Sequence, residues 1–304
     1  MPGHELPMTA FETSLDALSP RESGHRFDAQ RHWAASLEVA FEARRDVTRM
    51  TRCRHQGPLR VQRPFHPEGR PGACHVYLLH PPGGLVSGDD LSISIGVGAH
   101  AHALLTTPAA NKLYKTDSQA VAWRQHTRLE VADGGVLEWV PQETLAFDGS
   151  RGEQATEIVL EGNARCMGWE VMALGRPASQ LPYLSGRIEQ RFRLTRDGRP
   201  LWLERQPLDP RHARFHGRWG QGGATVQATL WVVGLEDAPE AVEALRDDLP
   251  RTSRCAVTVR HGVLLLRYLG QERNEAWALC RRAWSILRPR LIGLPAHTPR
   301  IWLT

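Results

Sequence analysis

The amino-acid sequence predicts a mainly β fold, a single β-rich domain of many antiparallel strands with two C-terminal α-helices. Three observations predict this fold. Apolar residues alternate with polar ones along much of the chain, turns rich in Gly and Asp separate β-prone runs, and helical spacing appears only near the C-terminus. Hydrophobic residues make up 41% and charged residues 23% of the 304 positions, a balance that allows a packed core.

The chain divides near residue 30. Residues 1–30 combine prolines and glycines with charges and show no sustained period, which predicts a flexible N-terminal leader. Residues 31–304 then form the predicted β-rich domain. Its first strand begins at Trp33, and apolar side chains occupy every second position from Ala35 to Phe41.

Alternation and turn residues locate the further strands. Apolar residues occupy every second position over 91–103, which predicts one strand whose opposite, polar face carries both His100 and His102. Such a pair could hold a metal together, although two imidazoles are too few for a closed site. Three turns interrupt β-prone runs and predict antiparallel hairpins, at 133–135, 196–198 and 261–262.

Two helices follow near the C-terminus. Apolar residues recur at intervals of three and four from Pro239 onward, which predicts an amphipathic helix with this proline in its first turn. A second helix begins near Asn274, aligns Trp277 and Trp284 on one stripe, and is expected to stop at Pro289. We expect the tryptophan stripe to be core rather than interface.

Charge and cysteine content exclude several classes of function. The net charge is +5, but acids and bases are interspersed, so no basic block indicates a nucleic-acid partner. The five cysteines are scattered without a CxxC pair, which argues against structural zinc or a disulfide framework and favours the cytoplasm. The sequence shows no signal-peptide pattern and no apolar run near the ~18 residues of a membrane span, so we expect no membrane role.

The signatures of several enzyme classes are missing: the sequence contains no GxxxxGK[ST] loop, no HExxH helix and no GxSxG elbow. We therefore expect a protein without catalysis of its own and without a tightly bound cofactor. An alternative is a metal-dependent hydrolase that uses His80, Asp89 and Asp90, which lie together in one loop rich in Pro and Gly. The same loop also fits a tight corner whose aspartate caps backbone N–H groups.

Three glutamates are embedded in apolar strands, each beside Trp or Leu: Glu138, Glu170 and Glu204. Burying a carboxylate costs several kcal/mol unless the group is paired or hydrated, so such residues tend to meet an arginine, a metal or internal water. Ion pairing with the many arginines is the alternative to a metal-binding role, and it would make the protein a purely structural partner.

Several segments together resemble the urease accessory protein UreD (UreH) family, in collinear order from Trp33 to Thr304. They are GPLRVQRPFHPEG at 57–69, CHVYLLHPPGGLVSGD at 74–89, LLTTPAANKLYKT at 104–116, LEWVPQETLAFDG at 137–149, LGRP at 174–177, LRP at 287–289 and PRIWLT at 299–304. The number and order of these segments make the resemblance specific.

The resemblance implies a mostly β protein with two helices that performs no reaction itself. It implies a maturation factor that joins UreF and the GTPase UreG on the urease apoprotein, and through which nickel passes in transit along a polar internal channel. The resemblance also places acidic channel-lining residues at Asp89, Glu170 and Glu204. Carboxylates that stand apart suit the passage of a hydrated dication better than a tight His/Cys cage, which would trap it.

Overall fold

The computed structural model describes residues 31–70, 72–250 and 254–303, so the predicted leader at 1–30 lies outside the described residues. Within these ranges the chain is mainly strand, as predicted. The strands are β1 (Trp33–Arg44), β2 (Val47–Gln56), β3 (Arg60–Val61), β4 (Cys74–Leu79), β5 (Asp89–Val97), β6 (His102–Thr106), β7 (Asn111–Leu113), β8 (Trp123–Val131), β9 (Val136–Trp139), β10 (Thr144–Ala146), β11 (Arg151–Leu160), β12 (Arg165–Arg176), β13 (Leu181–Pro182), β14 (Arg187–Arg196), β15 (Arg199–Leu208), β16 (Val226–Val233), β17 (Cys255–Arg260) and β18 (Val263–Gly270). The helices are α1 (Ala213–His216), α2 (Ala238–Asp248) and α3 (Arg273–Ile292).

The strands form two mixed sheets rather than the antiparallel sheets that we predicted. Sheet I has the order β15-β14-β11-β8-β5-β1-β2, and sheet II has the order β17-β18-β16-β12-β9-β6-β4-β3, with β7, β10 and β13 attached beside β12. The interior pairs of sheet I are parallel, and antiparallel pairs occur only at its two edges. In sheet II, β4, β6, β9 and β12 are parallel to one another.

Parallel pairing arises because the chain alternates between the sheets. It passes from β5 in sheet I to β6 in sheet II, then through β8 and β9 and through β11 and β12 in the same way. Each sheet therefore receives its successive strands in the same direction. The turn at 133–135 joins two sheets instead of forming a hairpin, and the single strand predicted over 91–103 is divided into β5 and β6 by a turn that contains His100.

These connecting turns stack on one another. The N–H of Val136 donates to the carbonyl of Ala101 at 2.8 Å, and the N–H of Arg165 donates to the carbonyl of Gly135 at 2.9 Å. A side chain at Gly135 would place its Cβ 3.0 Å from the carbonyl oxygen of Gly98, so this corner requires glycine. The turn at 133–135, which is rich in Gly and Asp, is thus one of the stacked corners that connect the two sheets.

The other two predicted hairpins are confirmed, since β14 pairs antiparallel with β15 and β17 pairs antiparallel with β18. Both turns have two consecutive residues with positive φ, at Asp197 and Gly198 and at His261 and Gly262. That pair of conformations matches the twist of a tight two-residue hairpin. In the turn at 133–135 only Gly134 has a positive φ, and the chain leaves its sheet.

Helix α2 begins as predicted, with the side chain of Asp237 accepting the N–H of Glu240 at 2.9 Å. The predicted stop of α3 at Pro289 is wrong, because the helix continues to Ile292. A proline in the last turn removes only one helical hydrogen bond. The side chain of Arg290 donates to the carbonyl of Ile286 at 2.8 Å, and Gly293, in the left-handed conformation, closes the helix on the carbonyl of Pro289.

The molecule has three layers with two apolar interfaces. The inward faces of the two sheets enclose one hydrophobic core, and the outward face of sheet II packs against α2 and α3 in a second core. Trp277 and Trp284 belong to this second core, as predicted, and both contact Trp302 near the C-terminus. Among the described residues, no helix combines the length and apolar character needed to cross a membrane.

A buried ionic network joins the helical layer to sheet II. The carboxylate of Glu138 accepts hydrogen bonds from His102 at 2.8 Å, Trp284 at 2.7 Å and Arg288 at 3.0 Å. Arg288 also donates to both carboxylate oxygens of Glu68 at 2.8 Å, and it is fully buried. Burial alone would raise the pKa of Glu138, but the hydrogen bond and charge of His102 and the charge of Arg288 lower it to about 2.

Removing Arg288 should therefore destabilise the fold strongly. The substitution R288M leaves the carboxylates of Glu138 and Glu68 buried without this cation, and we expect the free energy of unfolding to fall by about 3–5 kcal/mol. Urea denaturation measures this change. The control is R246Q, which removes an exposed pair with Glu243 and should cost less than about 1 kcal/mol. Similar small changes in both variants would contradict this role of the network.

Candidate functional site

The inward face of sheet I carries a row of four glutamines in its centre. Gln154 on β11 is the register partner of Gln125 on β8 and of Gln190 on β14, which in turn faces Gln206 on β15. Because side chains alternate along each strand, all four point into the space between the sheets. Apolar side chains flank the row along the same strands: Trp123, Leu129, Ile158, Ile188, Leu194 and Leu208.

Hydrogen bonds connect this row to sheet II through Gln227 on β16. The amide of Gln190 donates to Gln154 at 3.1 Å, and Gln227 donates to Gln190. Gln206 and Gln221 both donate to the side-chain oxygen of Gln227, at 2.7 Å and 2.8 Å. Gln190, Gln206 and Gln227 each both donate and accept, so uncharged amides link the polar interior of the two sheets.

Glu170 lies opposite this row, on β12 of sheet II. Its carboxylate accepts a hydrogen bond from the hydroxyl of Thr156 on β11, which spans the gap between the sheets. Burial raises the pKa of Glu170 to about 7; the hydrogen bond from Thr156 opposes this shift and the charge of Glu204 adds to it. Glu170 is half-buried, and among the described residues it has no ion-pair partner within 4.0 Å, so ion pairing does not explain its position between the sheets.

Glu204 on β15 has a different environment. Arg267 on β18 donates to both carboxylate oxygens of Glu204, one of these bonds being 2.9 Å long, and the indole of Trp202 donates at 3.0 Å. Ion pairing with Arg267 therefore explains why the carboxylate of Glu204 is tolerated inside the protein, as ion pairing with Arg288 does for Glu138. Of the three embedded glutamates, Glu170 alone lacks an arginine in the described part of the chain.

Two cavities meet at Glu170. The larger, of about 140 Å³, lies between the sheets and extends from His80 and Gly83 to Gln154 and Glu170. The smaller, of about 30 Å³, extends from Glu170 to Glu204. Both exceed the roughly 10–15 Å³ that one water needs. We call this route the polar passage. Its polar and charged lining residues are His80, Thr107, Asn111, Gln125, Thr127, Gln142, Thr144, Gln154, Thr156, Glu170, Gln190, Arg191, Glu204, Gln206, Gln227 and Thr229.

Asp89 lies apart from the two glutamates. Its side chain accepts the backbone N–H of Val86 at 2.8 Å, which confirms that this aspartate caps the corner of its loop. Burial raises the pKa of Asp89, against the opposing effects of that hydrogen bond and of the charge of His80. Asp89 lines neither of the two cavities, but His80 lines the larger one, so the loop borders the polar passage.

The ligand set of the hydrolase alternative does not converge. Asp90 hydrogen-bonds to His32 at 2.8 Å and lies 4.0 Å from Arg124, on the opposite side of β5 from Asp89. The described residues contain no group of three or more His, Cys, Asp or Glu side chains that could hold a metal ion.

The predicted shared face of His100 and His102 is also wrong. His100 lies in the turn after β5, where Gly134 packs closely against its ring. His102 belongs to β6 of sheet II and is buried against Glu138. The two imidazoles therefore lie in different elements and do not share a face.

Sequence reasoning missed the glutamine row and Thr156. Each of these residues occupies an inward position of its strand, two residues from a neighbour on the same face. The alternation that predicted the strands could therefore also have shown that these polar side chains point inward. Their convergence depends on the parallel register of β8, β11 and β14, which an antiparallel prediction could not provide.

Comparison with known proteins gives a consistent result. The model of the family described as UreD urease accessory protein matches residues 34–303. A urease accessory protein UreD from Marinobacter nauticus is 66% identical over 297 residues, which cover 96% of this chain and 100% of that protein. The protein of that name from Chromohalobacter salexigens is 65% identical over 98% of this chain and 100% of its own length, and urease accessory protein UreD 2 from Brucella anthropi is 41% identical over 90% and 98%.

The titration of Glu170 should appear in the pH dependence of stability. Its pKa rises from an ordinary value of 4.5 to about 7 on folding, so the folded chain binds more protons between these values. Stability contributed by this group is therefore present below pH 4.5 and is lost as pH rises towards 7. The substitution E170Q removes that loss, so relative to the wild type the free energy of unfolding of the variant should rise by up to about 3 kcal/mol across this window.

Urea denaturation at a series of pH values measures the gain, with E243Q on the exposed face of α2 as the control. Stability curves of E170Q and wild type that run parallel across the window would show that Glu170 does not titrate there.

Proposed function

The chain belongs to the UreD family of urease accessory proteins, and we propose that within urease maturation it is both a scaffold and a conduit for nickel. Its relatives are named as accessory proteins and not as enzymes. The single observation that carries the proposal is the polar passage between the sheets, in which two cavities share Glu170 in their lining and the smaller one extends from Glu170 to Glu204.

The lining chemistry of the polar passage supports transit rather than storage. Carboxylate, amide and hydroxyl oxygens suit a hydrated dication, whereas soft thiolate cages hold metals tightly. The glutamine row supplies neutral oxygen atoms on one side of the route, and Glu170 supplies a carboxylate on the other. Glu204 shares its charge with Arg267, which favours weak binding at the far end of the route. Asp89 acts from the border of the larger cavity, through the shape and charge of its loop.

The proposed partners are UreF, the GTPase UreG and the urease apoprotein, in the cytoplasm. The sequence contains no phosphate-binding loop, so the energy of GTP hydrolysis comes from UreG. In this scheme the chain binds nickel only in transit and holds no resident cofactor.

A purely structural role is the second candidate. The ion pair of Glu204 with Arg267 favours it, because a paired carboxylate needs no cation. Glu170 favours the conduit, since the described residues offer it a hydroxyl donor and no arginine. The charge-preserving substitution E170D separates the two functions: a structural role tolerates the shorter acid, whereas a conduit loses the position of its ligand.

The first test removes the chain from cells that express the urease operon and then restores it. We expect urease that is inactive and poor in nickel in its absence, and recovery of both properties with the intact chain. Fully active, nickel-replete urease in its absence would refute a role in maturation.

The acids of the polar passage should control nickel delivery. We expect E170A, E204A and D89A to lower the nickel content of matured urease severalfold, with E170A the most severe, because Glu170 joins the two cavities. Elemental analysis of purified urease measures nickel, and co-purification measures assembly with the partners, which should persist.

The matched control is E243A, on the exposed face of α2. Unchanged nickel content in all three variants would exclude the conduit while leaving the scaffold role intact.

A further inference from the structure

The hydrogen bond from Thr156 to Glu170 crosses the polar passage at the point where its two cavities meet. Thr156 belongs to sheet I and is only 4% exposed, and Glu170 belongs to sheet II. Both line the larger cavity, and of the two only Glu170 also lines the smaller one. Beside this crossing, the bonded pair of Gln154 and Gln190 separates the same cavities along sheet I.

The protein provides a hydrogen bond to only one of the two carboxylate oxygens of Glu170, within the described residues. One of its oxygens accepts from Thr156, and the described residues give the other no hydrogen bond. The charged groups that border the site on the smaller cavity are Glu204 and Arg191, with Arg267 paired to Glu204 behind them, and His80 borders the larger cavity. Thr156 and Glu170 are joined by a direct hydrogen bond, and both side chains line the larger cavity, so a dication in that cavity can compete with the hydroxyl for the carboxylate.

On this basis, and resting on the proposed function, we propose that Thr156 is a positioning residue that exchanges with the transported dication on Glu170. The resting carboxylate is held across the polar passage by the hydroxyl. A dication that arrives through the larger cavity binds the carboxylate and displaces the hydroxyl. When Glu170 carries a proton, that proton passes to water as the bond between metal and oxygen forms, so charge and atoms balance.

The exchange lowers the affinity of Glu170 for the dication. A hydrogen bond from a hydroxyl to a carboxylate stabilises the ionised acid, so a dication that takes both oxygens of Glu170 has to break this bond. The same bond reforms when the dication leaves for Glu204, which favours release. Without the hydroxyl, the ionised carboxylate should hold the dication more tightly, and it should also hold a proton more tightly.

Three variants of the full chain test this exchange with Ni²⁺ as the probe. T156V keeps the volume of the side chain but removes the hydroxyl, T156S keeps the hydroxyl, and E170Q removes the charge. Calorimetric titrations from about pH 6 to about pH 8.5, in two buffers of different ionisation enthalpy, give the affinity of the ionised carboxylate and the number of protons released.

We expect T156V to bind Ni²⁺ about 3- to 10-fold more tightly than the wild type once Glu170 is ionised. The pH at which Ni²⁺ affinity reaches half of its change should be higher in T156V than in the wild type. T156S should behave as the wild type, and E170Q should lose this binding. The exchange is refuted if T156V matches the wild type in affinity and proton release, or if T156S matches T156V.

The proposed conduit and the exchange fail in different ways. Loss of binding in E170Q with no change in T156V would overturn the exchange alone. Wild-type binding in E170Q would overturn both, because Glu170 would then not be a ligand.

Discussion

The buried guanidinium of Arg288 joins stretches of chain that are far apart in sequence. It lies on α3 and neutralises Glu138 on β9 and Glu68 in the loop before β4, so the helical layer, sheet II and that loop share one cation. Each of the three residues lies in a segment that carries the family resemblance: 57–69, 137–149 and 287–289. A buried charge without its partner costs several kcal/mol, so these segments depend on one another. The network therefore ties α3 to sheet II in addition to the apolar core between them.

The alternation of the chain between two sheets creates the polar passage. Each crossing places the next strand in parallel register beside the previous one, so residues at equivalent positions line up across the sheet. Apolar residues at these positions build the core, and glutamines at these positions build a polar row through it. A sheet of hairpins would pair the same strands antiparallel and distribute the glutamines differently. The route between the sheets is therefore a product of topology, and the strands that meet there place Glu170 and Glu204 on it.

Much of the fold could be predicted from local sequence patterns. The remainder depends on contacts between residues that are distant in sequence, which local patterns do not show. Period-two alternation located the strands, and the turns at 196–198 and 261–262 predicted true hairpins. The turn at 133–135 has similar residues but only one positive φ, so composition alone could not distinguish a hairpin from a crossing. Embedded acids were recognisable in sequence, yet the arginine beside Glu204 and the hydroxyl beside Glu170 come from strands 63 and 14 residues away.

The order of Arg288 and its two acids along the chain has a consequence for folding. During synthesis, Glu68 and Glu138 emerge before the cation that they share, and sheet II lacks α3 until that helix is made. Until then the apolar side chains that α3 covers on the outward face of sheet II are exposed, and exposed apolar surface of this kind makes partly folded chains prone to self-association. Burial of that face therefore depends on the segment that carries Arg288.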